Sequence, residues 1–205
     1  MLAGCLALIA CTFTDGNKKI VAGNEQLNSS VTIEVAKIKT IANMLGAYEY
    51  ETIASARYAA FSKKAMEEGF HEIAILFKAA AKAENVHAGN HLAVLTSMGI
   101  SVHPVITEVT VKPTGENLKS AIGGEAYIVD KMYPLFLKDA RAAGNQSALI
   151  SLSYAYKTEK KHKIYYENAL AALNGNTMKN LPAYIPSVTL AGTSKILSSA
   201  DVVFP

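Results

Sequence analysis

The chain has 205 residues, enough for one domain with a substantial core plus terminal tails. Half of its residues are apolar, and a net charge of +3 is too small and too evenly spread for a nucleic-acid surface, so nucleic acid is excluded as a partner. The only thiols, Cys5 and Cys11, form no C-x-x-C pair, which argues against a disulfide framework or a thiolate metal site.

Residues 1–11 are apolar up to Ala10 and the chain turns polar after Cys11, in the manner of the h-region of a secretory signal. Leu8-Ile9-Ala10-Cys11 resembles a bacterial lipobox, in which the cysteine is lipidated and becomes the mature N-terminus. A lipid anchor through Cys11 and a bacterial cell-envelope location follow as expectations, with the cytoplasm as the alternative if this is an ordinary apolar N-terminus. Leu2-Ala3-Gly4-Cys5 fits the lipobox pattern more closely but has no apolar run ahead of it, and a positive n-region is missing. Ten apolar residues are too few to span a bilayer as a helix.

Residues 12–33 mix Gly, Asn, Ser and Asp without a period and are expected to be a flexible tether. Helical periodicity then sets in, and residues 34–174 are expected to be all-α, a four-helix bundle. Ile41, Met44, Tyr48, Glu51, Ser55, Tyr58, Ser62 and Ala65 mark one face of a first helix, which Gly69 ends in a left-handed C-cap position. Ile73, Phe77, Ala80, Glu84, His87, His91, Val94 and Met98 mark the second, closed by Gly99.

Between Ile100 and Thr114 the pattern fails, and His103-Pro104 and Lys112-Pro113 bar helix. So long a connection suits a crossover along the bundle between helices 2 and 3, extended in part over Val105 to Val111. Thr114 or Asn117 can cap the third helix, whose inner face is expected to carry Leu118, Ile122, Glu125, Val129, Met132, Phe136 and Ala140, with a kink at Pro134. Gly144-Asn145 breaks the chain, and Leu149, Leu152, Ala155, Glu159, His162, Tyr166, Ala169 and Leu173 face inward on the fourth helix. Residues 175–205, with Pro182 and Pro186, are expected to form an irregular tail without site chemistry.

The two halves repeat. Glu51 precedes Glu84-x-x-His87 by 33 positions (84 − 51), and Glu125 precedes Glu159-x-x-His162 by 34 (159 − 125). Three residues on a helix is one face, so each Glu-x-x-His aligns a carboxylate above an imidazole. One Glu from each of two helices and a Glu-x-x-His from each of the other two is the set with which a bundle core holds two metal ions. Four carboxylates set in apolar stripes each cost several kcal/mol to bury uncompensated, and two cations would compensate them. Mixed Glu and His ligation disfavours calcium, and the absence of thiolates disfavours structural zinc; two iron ions per chain (Fe2+/Fe3+) fit the donors, with manganese an admissible substitute. His71 and His103 are expected in solvent, and His91 as a hydrogen-bonded core histidine or a group supporting the ligands.

Glu51-Thr52-Ile53-Ala54-Ser55-Ala56-Arg57-Tyr58, with Phe61, Ala65, Glu68-Gly69 and Glu84-x-x-His87-Ala88, resembles the first half of a rubrerythrin ferritin-like domain. Gly124-Glu125, Lys131-Met132-Tyr133-Pro134 and Glu159-x-x-His162 resemble its second half, and the likeness spans roughly residues 36–173. The resemblance implies a ferritin-like diiron protein that reduces hydrogen peroxide to water, with Glu51, Glu84, His87, Glu125, Glu159 and His162 as ligands. Tyr58 and Tyr133 match tyrosines that hydrogen-bond to ligand carboxylates. Two departures stand out: Ile128 occupies the place of a further Glu that exchanges with a His, and no cysteine follows Cys11 to build a rubredoxin domain. An external donor such as a separate rubredoxin, and a homodimer, are therefore expected. The alternatives are an iron-binding or ferroxidase module using dioxygen and a bundle without catalysis.

Overall fold

The computed structural model describes residues 17–103 and 108–177, with side chains from residue 29 onward. Among these residues there is helix and no strand. The elements are α1 (Asn17–Glu67), α2 (His71–Ser97), α3 (Thr114–Tyr127), a π-helical turn (Ile128–Met132), α4 (Tyr133–Ala142) and α5 (Gln146–Asn174). α3, the π-helical turn and α4 run on as one helix, so the expected four-helix bundle is the architecture found. No helix among the described residues is long and apolar enough to cross a membrane.

The turns follow from glycine chemistry. Gly69, Gly99 and Gly144 sit at φ +82°, +76° and +67°, which side chains with a Cβ resist. At each, the next residue's N–H closes back on the helix: Phe70 to the carbonyl of Ala65, Ile100 to Leu95, and Asn145 to Ala140. Asn145 then caps α5, its side-chain oxygen accepting from the N–H of Ala148 at 2.9 Å.

α1 and α2 run antiparallel. The chain then crosses the whole bundle, because the N–H of Thr114 donates to Glu68 at the far end of α1 (2.9 Å). α2 with 27 residues is about 40 Å long, a distance within reach of the sixteen residues from 98 to 113, which could span about 53 Å if extended. Its described parts, 100–103 and 108–113, carry neither helix nor strand.

Three expectations need correction. Residues 17–33 are not an irregular tether: they continue α1 upstream, since no proline stops a helix already nucleated by the packed segment after Ala36. Neither Thr114 nor Asn117 caps α3 with its side chain. Asn117 instead bridges the crossover, accepting from the N–H of Lys112 (3.0 Å) and donating to its carbonyl (2.5 Å).

The third correction concerns the third bundle helix. The offset between halves is 74 at Glu51/Glu125 (125 − 51) but 75 at Tyr58/Tyr133 (133 − 58), Glu84/Glu159 (159 − 84) and His87/His162 (162 − 87). One extra residue therefore lies between Glu125 and Tyr133, where the π-helical turn absorbs it, the N–H of Tyr133 reaching the carbonyl of Ile128. Pro134 falls at the start of α4, directly after the π-helical turn, where a missing N–H costs little. The wide turn rotates the inner face, so Ile128, Tyr133 and Leu137 are buried while Val129 and Phe136 are only partly so.

Two apolar clusters fill the bundle. Tyr58, Phe61, Phe77 and Tyr166 pack as rings at one end, with centroids 5.1 to 6.3 Å apart. Met44, Leu95, Ile128, Met132, Tyr133 and Leu152 fill the other end. Residues 1–11, the expected signal segment, and 178–205, most of the expected tail, lie outside the described residues.

Candidate metal centre

Between the two clusters the core turns polar. Glu51 comes from α1, Glu84 and His87 from α2, Glu125 from α3, and Glu159 and His162 from α5, and each is 1% exposed or less. All six residues expected to act together are brought together. His71 and His103 are exposed, as expected.

The imidazoles sit between carboxylates. His87 Nδ1 lies 2.9 Å from Glu84 Oε2 and 2.8 Å from Glu159 Oε1; His162 Nδ1 lies 2.8 Å from Glu159 Oε2 and 3.0 Å from Glu84 Oε1. One N–H serves one acceptor well, and in each case it is aligned with the carboxylate of its own motif. Glu51 Oε2, Glu84 Oε1, Glu125 Oε2 and Glu159 Oε1 are buried without a hydrogen bond, one oxygen on each glutamate. An orphaned carboxylate oxygen costs more than a kcal/mol, roughly 1–3 and more for charge, so four at one level are a demand for cations.

The donor atoms fall into two groups whose members lie within 4.8 Å of one another: Glu51, Glu84, His87 and Glu159, and Glu84, Glu125, Glu159 and His162. Glu84 and Glu159 belong to both. Oxygen and imidazole nitrogen together, without thiolate, suit iron or manganese. Two such cations would be held side by side, with a terminal carboxylate and an imidazole each and two carboxylates shared.

Without cations the site holds protons. Burial pushes Glu51 and Glu125 well above the carboxylate range, and Glu159 and Glu84 push the same way. Burial would raise Glu159 too, yet His87 and His162 outweigh it and hold that carboxyl down at about 2. On the imidazoles burial opposes charge, but the facing carboxylates carry His87 up to about 10 and His162 well above its usual value. Cations held by these residues would therefore compete with protons on the imidazoles and on the terminal carboxyls.

Each terminal carboxylate is held by a tyrosine from the other half of the repeat. Tyr58 of α1 donates to Glu125 Oε1 at 2.5 Å, and Tyr133 of α4 donates to Glu51 Oε1. Burial, then the adjacent carboxylate, raises both phenols well above their usual value, so both remain donors.

His91 stands behind Tyr133. Burial, with His87 adding to it, lowers its imidazole to about 3, so the ring is neutral. Its Nδ1 lies 2.7 Å from Ser151 Oγ and its Nε2 3.2 Å from the Tyr133 hydroxyl. Because Tyr133 gives its proton to Glu51, the network assigns the ring N–H to Nε2, with Nδ1 accepting from Ser151. His91 is thus the supporting histidine anticipated in the sequence, and Ser151 is a partner the sequence did not announce. In the other half the equivalent of His91 is Tyr166 (166 − 75 = 91), whose ring packs edge-on against Tyr58, centroids 5.3 Å apart. The two halves share ligands and differ in what backs them. Ile128, where a further Glu was noted as usual, is buried against Tyr133 in the apolar cluster.

Comparison with known proteins agrees with this geometry. A family model described as rubrerythrin matches residues 42–170, which include all six candidate ligands and both tyrosines. Nigerythrin of Nitratidesulfovibrio vulgaris is 36% identical over 136 residues, covering 66% of this chain and 66% of that protein. Rubrerythrin-2 of Clostridium acetobutylicum is 31% identical over 137 residues, covering 66% of this chain and 74% of its own length. The solved structure of fully reduced, all-ferrous nigerythrin superposes with a TM-score of 0.62 at 34% identity, over 66% of this chain and 67% of that one. The chain thus spans about two thirds of nigerythrin's length.

Proposed function

The chain belongs to the rubrerythrin family, whose members bind a diiron centre and are oxidoreductases, and from that premise we propose that it reduces hydrogen peroxide to water with electrons from a separate donor. The observation carrying the proposal is the overlap of the two donor groups through Glu84 and Glu159. Cleaving the O–O bond of peroxide consumes two electrons and two protons and yields two waters. Two bound iron ions would supply one electron each and the Lewis acidity that stabilises the departing oxygen.

The protein's part is positional and protonic. Glu51, Glu84, Glu125, Glu159, His87 and His162 would hold the pair. Tyr58 and Tyr133 fix the terminal carboxylates in orientation and keep phenolic protons within reach of the site. His91 Nε2 backs the Tyr133 oxygen, so a proton given up there has a neighbouring donor. The flanking clusters of Tyr, Phe, Met and Leu exclude bulk water from both ends. With Ile128 supplying no oxygen, His87 and His162 are the imidazoles available in both oxidation states.

The test is anaerobic reconstitution with ferrous iron followed by stopped-flow oxidation with peroxide and, separately, with dioxygen. Faster oxidation by peroxide supports the proposal. Faster oxidation by dioxygen, with iron loading beyond about two per chain, would replace it with a ferroxidase or iron-handling role.

A further inference from the structure

α5 has two opposite characters. Its inner face supplies Glu159 and His162, and interleaved with them in the seven residues 157–163 are Lys157, Lys160, Lys161 and Lys163. Lys157, Lys160 and Lys161 are exposed and turned away from the core. Among the described residues Lys163 is the one of the four with a carboxylate nearby, Glu167 at 3.9 Å. A net charge of only +3 over the chain makes this a local concentration rather than general basicity. Ile164, 53% exposed, stands one turn beyond Lys160 and Lys161, giving the face an apolar spot rimmed by ammonium groups.

The face is also the outer wall of the candidate metal centre, roughly 10 Å away across one helix. Lys160 Nζ lies 3.9 Å from the ring centroid of half-buried Tyr156, and that ring lies 6.1 Å from the ring of Tyr133, which donates to Glu51. Two rings therefore connect the lysine face to a candidate ligand.

We propose that the lysine face of α5 is the docking surface for an acidic electron-transfer protein that re-reduces the centre. This rests on the peroxide-reducing reading above. Each docking event passes one electron from the reduced donor to the oxidised centre, and two such events balance one peroxide reduced to two waters with two protons from solvent. The three exposed cations Lys157, Lys160 and Lys161 complement an acidic surface and raise encounter rates, while a single apolar spot suits a short-lived contact. A membrane surface gains nothing from lying over the centre, whereas an electron donor must lie there.

The experiment uses the iron-loaded full chain and reduced rubredoxin, an acidic one-iron carrier, as the probe. Lys157→Glu/Lys161→Glu is compared with Lys63→Glu/Lys78→Glu, an exposed pair on α1 and α2 with the same change in net charge. The expected result is a rubredoxin oxidation rate that falls with salt in the parent. The α5 pair lowers it about tenfold or more at low salt and the control pair changes it less than about twofold. Binding of zinc-substituted rubredoxin, measured by calorimetry without peroxide, should weaken in the α5 pair alone. If peroxide fails to oxidise the reduced centre while that binding pattern holds, the peroxide reading fails and the docking surface stands. Equal slowing by both pairs, a salt-independent parent rate, or loss of binding to anionic phosphatidylglycerol vesicles with rubredoxin unaffected would each overturn the proposal.

Discussion

Stripping the metal should make the chain less stable as the pH rises. In the metal-free fold His87 keeps its proton up to about 10, and His162, Glu51 and Glu125 are also held above their ordinary values. Unfolded, the histidines lose their protons around 6.5 and the carboxyls around 4. Between pH 7 and 9 the native state therefore binds more protons than the unfolded state, and its stability must fall as pH rises. Glu159, held down at about 2, stays ionised in both states over that range and adds no slope there. His87 alone contributes on the order of a kcal/mol per pH unit over that range, a sizeable share of the roughly 5–15 kcal/mol that stabilises a domain. Urea unfolding of chelator-treated protein at pH 7, 8 and 9, beside the iron-loaded protein, measures this directly. A falling midpoint in the metal-free chain with a flat or rising one in the loaded chain is expected. A metal-free midpoint that does not fall between pH 7 and 9 would refute the assignment of protons to the centre.

Tyr133→Phe removes the donor to Glu51, so affinity for the cation beside Glu51 should drop about 10–100-fold in a ferrous titration while the other is retained; Tyr58→Phe should do the converse. Deleting Val129 would leave Glu125 and Tyr133 seven residues apart, the spacing at which Glu51 and Tyr58 both face the core in α1, so the third bundle helix should become regular with two ions still bound in a ferrous titration. Asn145→Ala removes the α5 cap and should cost about 1 kcal/mol by urea denaturation, with iron stoichiometry unchanged because the cap lies far from the ligands.

The faces of α1, α2 and α5 were legible in the sequence because their apolar positions keep a strict three-and-four spacing through Glu51, Glu84, His87, Glu159 and His162. The third helix was not, since a regular α period carried past Ile128 puts Val129 and Phe136 inside. The signal was nonetheless there: the repeat offset steps from 74 to 75 between Glu125 and Tyr133, and one inserted residue in a helix has to become a wide turn. The upstream reach of α1 was hidden by Asn, Ser and Gly, whose weak local preferences yield to propagation from a packed helix. Asn117 looked like a cap and instead ties down the crossover, a choice set by the position of Lys112 in space. Ser151 beneath His91 joins residues 60 apart, a pairing that one-helix periodicity cannot register.

Iron stoichiometry in single glutamate variants tests the paired-cation centre most directly. Glu84 and Glu159 belong to both donor groups, whereas Glu51 and Glu125 belong to one each. Equilibrium dialysis against ferrous iron without oxygen should give two ions per parent chain, about one in Glu51→Ala or Glu125→Ala, and none held tightly in Glu84→Ala or Glu159→Ala. Equal losses in all four variants, or fewer than two ions in the parent, would contradict a centre built on two shared carboxylates.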